Sequence, residues 1–281
     1  MILECKSVLT CFLATLLWGT LSVQSASAAR ALVADFRTSD IWDIDLATGA
    51  VSNPRSTGIT FLSGIEFDSS GNLYGLSGDL GSGAIYSIDS ATGHAVLIGD
   101  LGLNEVIEGG LAWDAASSTM YGVQDTPGIM RLLFTIDLIT GLAQVVGNVT
   151  NVDDLSAISF DRDGNLYVLQ TSDNVLLTID KTNGNILSTR PLSRNIEAAA
   201  GMDYDPVNGT MYVVDGPPST GSDNLYTLNL STGDLTLIGS TLTSGRLSGI
   251  AIVPEPSLIC QLVVGVAVLL VRGRVRTYGK R

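Results

Sequence analysis

The chain has 281 residues, with 28 acidic and 15 basic side chains, a formal net charge of −13 and one histidine. This charge balance argues against nucleic acid and anionic lipid surfaces as partners, because both are negatively charged. The three cysteines lie at positions 5, 11 and 260. The long middle of the chain therefore has no disulfide and must be stabilised by its own core.

The first 29 residues have the composition of a secretory signal peptide. Lys6 precedes an apolar stretch from Val8 to Leu21, and small residues follow from Ser25 to Ala29. A basic residue, an apolar run and a small-residue cleavage site in this order are typical of exported proteins. We therefore expect passage through the Sec translocon and cleavage after Ala28 or Ala29.

Residues 30–253 contain a repeated unit. One element, small–apolar–x–aromatic–Asp, occupies positions 64–68, 110–114, 157–161 and 201–205, with a degenerate copy at 249–253. A second element, apolar–Asp–x–x–Thr–Gly, occurs five times with small variations. Each repeat of about 46 residues contains four short segments rich in β-branched and aromatic residues, with turn residues between them. This pattern predicts four-stranded propeller blades.

The two ends of this region predict five blades. Residues 31–53 supply three strands that lack a first strand, and residues 247–253 supply a first strand with nothing after it. Together they would form one composite blade that closes the ring and covers its edges. The predicted fold class is an all-β, five-bladed propeller, expected to be a monomer. It resembles the NHL-like and quinoprotein-like propeller families, but it carries no catalytic signature of a particular family.

The repeats separate structural residues from candidate functional ones. Aspartates that recur in every blade are interpreted as turn residues that bond backbone amides. Glu66 and Asp203 instead stand where the other repeats have Ala112, Ser159 and Ala251. If the channel brings the two carboxyls together, they could act as acid and base or bind a metal. The alternative is a position that tolerates polar residues without any chemistry.

The variable loops are a second candidate site. Loops between second and third strands share one face of the ring with the loops between blades, and binding usually resides on such loops. Their candidate ligands for a metal such as Ca²⁺ are Asp79, Asp125, Asp173, Asp215 and Asp223. The alternative is a solvated acidic surface, which requires no cofactor. The chain has no Ser-His-Asp set and no histidine cluster, so the sequence favours a binding or structural module over a carboxylate- or metal-dependent hydrolase or lyase of the lactonase kind.

The C-terminus is a tail of three parts. The motif consists of Val253, Pro254, Glu255, Pro256 and Ser257. An apolar run from Leu258 to Val271 and an arginine-rich end follow it. As a helix, the run would measure about 21 Å, which is short for a bilayer core of about 30 Å. This tail resembles the PEP-CTERM sorting signal of Gram-negative bacteria, which the membrane transpeptidase exosortase recognises.

The resemblance implies a domain plan and a location. Residues 1–29 would be the signal peptide, residues 30–253 the propeller, and residues 254–281 the sorting tail with a short transmembrane helix. The tail would enter the inner membrane transiently, exosortase would process it, and the protein would reach the cell surface or the extracellular matrix. Extracellular polysaccharide or surface proteins would then be its partners. The alternative is an ordinary C-terminal anchor that retains the protein in the inner membrane.

Overall fold

The computed structural model describes residues 30–254, apart from residues 79, 80, 82, 105, 107, 127–129, 197, 198, 217–222 and 242–245. This part of the chain contains twenty β-strands in five antiparallel sheets of four strands each. The prediction of an all-β, five-bladed propeller is therefore confirmed. None of the described residues belongs to a helix with the length and hydropathy that a membrane span requires. The expected signal peptide and C-terminal helix lie outside the described residues.

The first blade is assembled from both ends of the propeller. From the channel outward, its strands are β20 (Leu247–Ile252), β1 (Arg30–Asp35), β2 (Asp40–Asp45) and β3 (Val51–Ser56). Beyond the last strand pair, the backbone N–H of Val253 donates to the carbonyl oxygen of Arg30 at 2.8 Å. The sheet order is the one expected for the composite blade, and it closes the ring without a free inner edge.

The other four blades each follow one continuous stretch of chain, from the innermost strand to the outermost. The second blade consists of β4 (Leu62–Phe67), β5 (Leu73–Ser77), β6 (Ala84–Ile88) and β7 (Ala95–Asp100). The third consists of β8 (Glu108–Asp114), β9 (Thr119–Thr126), β10 (Met130–Ile136) and β11 (Ala143–Asn148). The fourth consists of β12 (Leu155–Phe160), β13 (Leu166–Gln170), β14 (Val175–Ile179) and β15 (Ile186–Pro191). The fifth consists of β16 (Ala199–Asp205), β17 (Thr210–Gly216), β18 (Asn224–Leu228) and β19 (Leu235–Ser240).

The hydrophobic core lies between the blades. Five clusters of buried apolar residues are present in the described part, and each joins two neighbouring blades. Between the first and second blades, for example, Leu32 and Ile41 pack with Leu62 and Ile65. Every residue of β4, β12 and β20 is buried, whereas outermost strands such as β3 and β7 are mainly exposed or half-buried. Burial of apolar surface is the main driving force for this packing.

The innermost strands approach one another closely where the first repeat element begins. A Cβ atom on Gly201 would lie only 2.6 Å from backbone atoms of Gly249, and one on Gly249 would lie 2.9 Å from the nitrogen of Ile65. The space left between the strands at this level is a void of about 10 Å³. The small residue of the repeat element is therefore required by packing, and the channel is nearly closed at this level.

Candidate functional site

A cavity of about 580 Å³ opens at the other end of the channel, where the innermost strands finish. Its lining comes from the last residues of these strands and from the turns that follow them. The polar Glu66, Ser159 and Asp203 and the aromatic Trp113, Phe160 and Tyr204 are among its lining residues. This face carries the short repeated turns. The variable loops, which are the second candidate site of the sequence analysis, lie on the opposite face.

Glu66 and Asp203 reach this cavity because they occupy the same position in two repeats. In the four complete repeats this residue precedes the aromatic residue near the end of the innermost strand. The side chains of Glu66, Ser159 and Asp203 all reach toward the next blade. Thus Asp203 on β16 accepts a hydrogen bond at 2.7 Å from the backbone N–H of Ile252 on β20. Likewise, the backbone N–H of Trp113 on β8 bonds the carboxylate of Glu66 on β4. The structure therefore brings the two predicted carboxyls to one site.

Backbone amides hold both carboxyls in place. Glu66 accepts a hydrogen bond of 2.8 Å from the N–H of Phe67. Asp203 accepts one of 2.7 Å from the N–H of Tyr204. Only 5% of Glu66 and 8% of Asp203 is exposed. Each carboxyl thus has a fixed orientation at the bottom of the cavity, with neutral donors as its direct partners.

Burial changes the ionisation of this pair. Burial, followed by the negative charge of Asp203, raises the pKa of Glu66 well above its ordinary value. Burial also raises the pKa of Asp203 to about 7, although hydrogen bonds from the backbone of Ile252 and Tyr204 act in the opposite direction. Near neutral pH the pair therefore retains protons that exposed carboxyls have lost. Such a pair can both donate and accept a proton at physiological pH.

The hydroxyl of Ser159 is the third polar group of the inner cavity. Its Oγ lies 3.4 Å from Oδ1 of Asp203 and 3.3 Å from the carbonyl oxygen of Phe160. Ser159 occupies the same repeat position as Glu66 and Asp203. Both of the hydrogen bonds that its hydroxyl forms within the described part of the chain are long, and the hydroxyl lies beside the carboxyl of Asp203.

The aspartates at the rim act in the turns, as their repetition indicated. Asp68 Oδ1 accepts a hydrogen bond of 2.9 Å from the N–H of Ser70, and Asp161 Oδ1 accepts one of 2.9 Å from the N–H of Asp163. Asp205 accepts the corresponding bond from the N–H two residues later at 2.8 Å. These bonds fix the turns that surround the cavity mouth.

Lys181 is a rim residue that the sequence analysis did not single out. Its Nζ lies 2.6 Å from Oδ2 of Asp114 and 5.3 Å from the ring centre of Phe160. Burial raises the pKa of Asp114, but the bond from Lys181 contributes to a net lowering. Lys181 also departs from its repeat position, where other blades have Leu46 or Ser90. The same criterion that selected Glu66 could therefore have found it.

The loop aspartates predicted as metal ligands do not form a cluster in the described residues. Asp173 is exposed and accepts a hydrogen bond from Gln170 at 2.7 Å. Asp215 and Asp223 are buried. Asp125 lies in β9, and Asp79 lies outside the described residues. In the part of the chain that the structure describes, no group of three or more His, Cys, Asp or Glu side chains could hold a metal ion.

The C-terminal motif begins at the cavity. Val253 and Pro254 both line its mouth, and both are half-buried. Glu255, Pro256 and Ser257 lie outside the described residues. The propeller thus ends at the same face and the same opening as the buried carboxyl pair.

Comparison with protein families assigns the repeat. Residues 109–251, just over half of the chain, match a family described as a repeat of unknown function, DUF6923. The chain belongs to the DUF6923 family. The matched residues cover blades three to five and most of the closing strand β20. No curated protein matches this DUF6923 chain significantly.

Solved structures share the propeller fold. A chain in a crystal structure of a nidogen–laminin complex aligns with a TM-score of 0.55 and 17% identity, over 81% of this chain and 100% of that one. A gluconolactonase from Xanthomonas campestris aligns with a TM-score of 0.49 and 17% identity, over 79% of each chain. TolB from Acinetobacter baumannii aligns with a TM-score of 0.46 and 15% identity, over 74% of this chain and 52% of TolB. At these identities, the first resemblance shows the fold alone.

Proposed function

We propose that this chain is an exported propeller that binds its ligand in the cavity at the end of the channel. It would act as a binding or structural module at the cell surface or in the extracellular matrix. The observation that carries this proposal is the cavity itself. Its volume of about 580 Å³ lies within the range of roughly 300–1,000 Å³ that is usual for small-molecule sites. Extracellular polysaccharide, or a side chain of a surface protein, would enter from the face with the short turns.

Delivery to the outside would depend on the two ends of the chain. The Sec translocon would recognise residues 1–29, and exosortase would recognise the Pro-Glu-Pro motif in the tail while the tail is in the inner membrane. The hydrogen bond between Val253 and Arg30 supports this plan, because the ring is complete before residue 255. Removal of residues 258–281 would therefore leave every strand of the propeller in place.

Expression of the full chain in hosts with and without exosortase tests the delivery. We expect the protein outside the cells only when exosortase is present, with a mass that lacks residues 258–281. Glu255→Ala, within the motif, should prevent release. Asp163→Ala, at an exposed position of the propeller, should not. An intact tail in the inner membrane of both hosts would contradict sorting and favour an ordinary anchor.

An obstruction of the cavity mouth tests the binding site. Ala116 is exposed and lines the cavity, so Ala116→Trp should fill the mouth without disturbing the core. Ala91→Trp is the matched control, because Ala91 is an exposed turn residue outside the cavity lining. The exported proteins would be applied to arrays of surface polysaccharides and surface proteins from the host. We expect Ala116→Trp, but not Ala91→Trp, to lose binding. Equal binding by all three proteins would exclude the cavity as the site.

The carboxyl pair favours a second candidate function, a carboxylate-dependent hydrolase or lyase. Glu66 and Asp203 line one cavity, and the raised pKa of each suits proton transfer near neutral pH. One carboxyl could donate a proton to a leaving group while the other activates water. A panel of lactones and esters tests this candidate. Hydrolysis that persists in Asp89→Asn, a change outside the cavity lining, and disappears in Glu66→Gln would support it. No turnover by the native protein across the panel would reject it.

A further inference from the structure

We propose that the cavity binds a small organic cation of the ammonium class, with its charge beside the Glu66 and Asp203 carboxyls and its apolar part against the aromatic walls. This inference rests on the proposed function, because it assumes that the cavity is the binding site. It goes further in that it names the chemistry of the ligand. Three features of the site lead to it: an uncompensated buried acidic pair, aromatic walls, and a volume well beyond that of one metal ion.

The first feature is the absence of a counter-charge beside the acidic pair. None of the ion pairs found among the described residues includes Glu66 or Asp203. The two basic residues of the lining have other partners. Lys181 pairs with Asp114, and Arg162 donates to the carbonyl oxygen of Pro206. Two buried negative charges are unfavourable unless protons or a cation neutralise them.

The second feature is the aromatic wall. Trp113 and Tyr204, which are both half-buried, line the same cavity as the two carboxyls. A hydrogen bond of 2.7 Å from Nε1 of Trp113 to Oγ of Ser69 holds the indole at the rim. Aromatic faces attract cations through their quadrupole, and they also pack against the apolar part of an organic ligand. An ammonium group adds N–H donors that suit carboxylate acceptors.

The third feature separates an organic cation from a metal ion. Calcium requires about six to eight oxygen ligands, and no cluster of three acidic side chains in the described residues could hold a metal. A volume of about 580 Å³ is also far more than one ion needs. Residues 30–253 carry 26 acidic and nine basic side chains, a net charge of −17 that attracts cations to the protein.

Cation binding at this site should release protons. The carboxyl pair would be partly protonated in the free protein and ionised in the complex. Ser159 and Tyr204 line the cavity together with the pair, and its other titratable or charged lining residues are Asp68, Asp114, Asp161, Asp163, Asp205, Arg162 and Lys181. Glu66 and Asp203 are the groups whose pKa burial raises, so the buried pair is the part of the site expected to lose protons.

Calorimetric titration of the exported protein with benzylammonium tests the inference, with benzyl alcohol as the neutral isostere. We expect benzylammonium to bind and benzyl alcohol not to bind. Affinity should rise by up to about tenfold per pH unit between pH 6 and pH 7, as release of one proton requires. Titrations in two buffers of different ionisation enthalpy would count the protons released.

Two variants of equal charge change locate the cation. Glu66→Gln should weaken benzylammonium binding by about tenfold or more, because it removes a charge in direct contact with the ligand. Asp89→Asn removes one charge from an exposed turn outside the cavity lining, where solvent screens it, and should change affinity by less than about twofold. Equal losses in the two variants would overturn the inference.

Other outcomes separate this inference from the proposed function. Equal binding of benzyl alcohol, or a preference for Ca²⁺, would overturn the organic-cation inference and leave the cavity as a binding site. Failure of every probe to bind would also overturn it, while the cavity proposal would still depend on the array experiment with Ala116→Trp. Binding of benzylammonium that Ala116→Trp leaves unchanged would contradict both.

Discussion

Glu66 and Asp203 lie on the innermost strands of different blades, yet the negative charge of Asp203 raises the pKa of Glu66. Burial raises the pKa of both. The two side chains share a cavity because both extend from the same repeat position toward the next blade. The repeat thus provides a structural framework, and the exceptions to it supply the ionisable groups of the candidate site.

The raised pKa values make stability depend on pH in a defined direction. A carboxyl whose pKa is higher in the folded state binds more protons there than in the unfolded chain. Its stabilising contribution is complete below the unfolded pKa, near 4, and is lost as pH rises through the folded pKa, about 7 for Asp203. We therefore expect the melting temperature to fall by several degrees between pH 5 and pH 8, measured by calorimetry at constant ionic strength.

Glu66→Gln should remove much of this pH dependence. Glutamine resembles the protonated acid in shape and retains an oxygen that can accept the Phe67 N–H bond. We expect the variant to melt at a temperature similar to the native protein at pH 5 and at a higher temperature at pH 8. Asp163→Asn is the control for a general change of charge. A native melting temperature that is equal at the two pH values would contradict the raised pKa values.

Lys181 should stabilise the contact between the third and fourth blades. Its Nζ is 2.6 Å from the Asp114 carboxylate, and the Asp114 side chain is only 2% exposed. Lys181→Met leaves that acceptor without its cation, which should reduce the free energy of unfolding by about 1–3 kcal/mol. Arg37→Met removes one positive charge at an exposed position and should have little effect. Denaturant unfolding at pH 7 measures the difference, and equal effects of the two changes would exclude a specific role for Lys181.

The Lys181–Asp114 pair also has its own pH signature. The pKa of Asp114 is lowered in the folded protein, so its contribution is present above the unfolded pKa and is lost as pH falls through the folded value. The destabilisation by Lys181→Met should therefore become smaller below about pH 4. This pH range is distinct from the range, between pH 5 and pH 8, in which the Glu66–Asp203 pair should change the melting temperature.

The close approach of the innermost strands predicts a large effect of one methyl group. Gly201→Ala would place a Cβ atom 2.6 Å from the backbone of Gly249, so β16 and β20 would have to separate. We expect a clear loss of stability, of about 1–3 kcal/mol, as for other overpacked positions. Gly81→Ala is the control, because a Cβ there meets nothing within 4 Å. Thermal unfolding compares the two, and a neutral Gly201→Ala would show that the strands can move apart at little cost.

The contribution of the turn aspartates to stability can be tested, because one blade has asparagine where the others have aspartate. Asp89 accepts backbone hydrogen bonds from Ala91 at 2.8 Å and Thr92 at 3.1 Å. In the fifth blade, Asn229 accepts the corresponding bonds. We therefore expect Asp89→Asn to leave the melting temperature nearly unchanged and Asp89→Ala to lower it. Equal melting temperatures for all three proteins would show that these bonds do not stabilise the turn.

The sequence was sufficient to predict the fold because every blade has the same four strands and turns, and these require the same residue types at the same positions. The small residue of the first element is required where Gly201 meets Gly249, and the aspartates are required at the turns. Residues with the same structural role in every blade recur at regular intervals in the sequence. The composite blade was predictable because the first and last repeats were each incomplete and complementary.

The candidate site was only partly predictable. Glu66 and Asp203 were found because they depart from the repeat, whereas Lys181, which also departs from it, was overlooked. The variable loops remain a separate prediction on the opposite face, because loop variability does not show where the channel widens. The width of the channel depends on the spacing between the innermost strands. These strands are close together at Gly201 and Gly249, and they leave room for the cavity at the opposite end.

The pairing of β1 with β20 has a consequence for the order of folding. It joins Arg30–Asp35 to Leu247–Ile252, segments at opposite ends of the propeller sequence. During synthesis or export that starts from the N-terminus, β20, the inner partner of β1, emerges after all the other strands. Until then β1 keeps an unsatisfied edge, and the first blade lacks its innermost strand. Ring closure should therefore be a late event, with the incomplete chain exposed to pairing with other polypeptides in the interval.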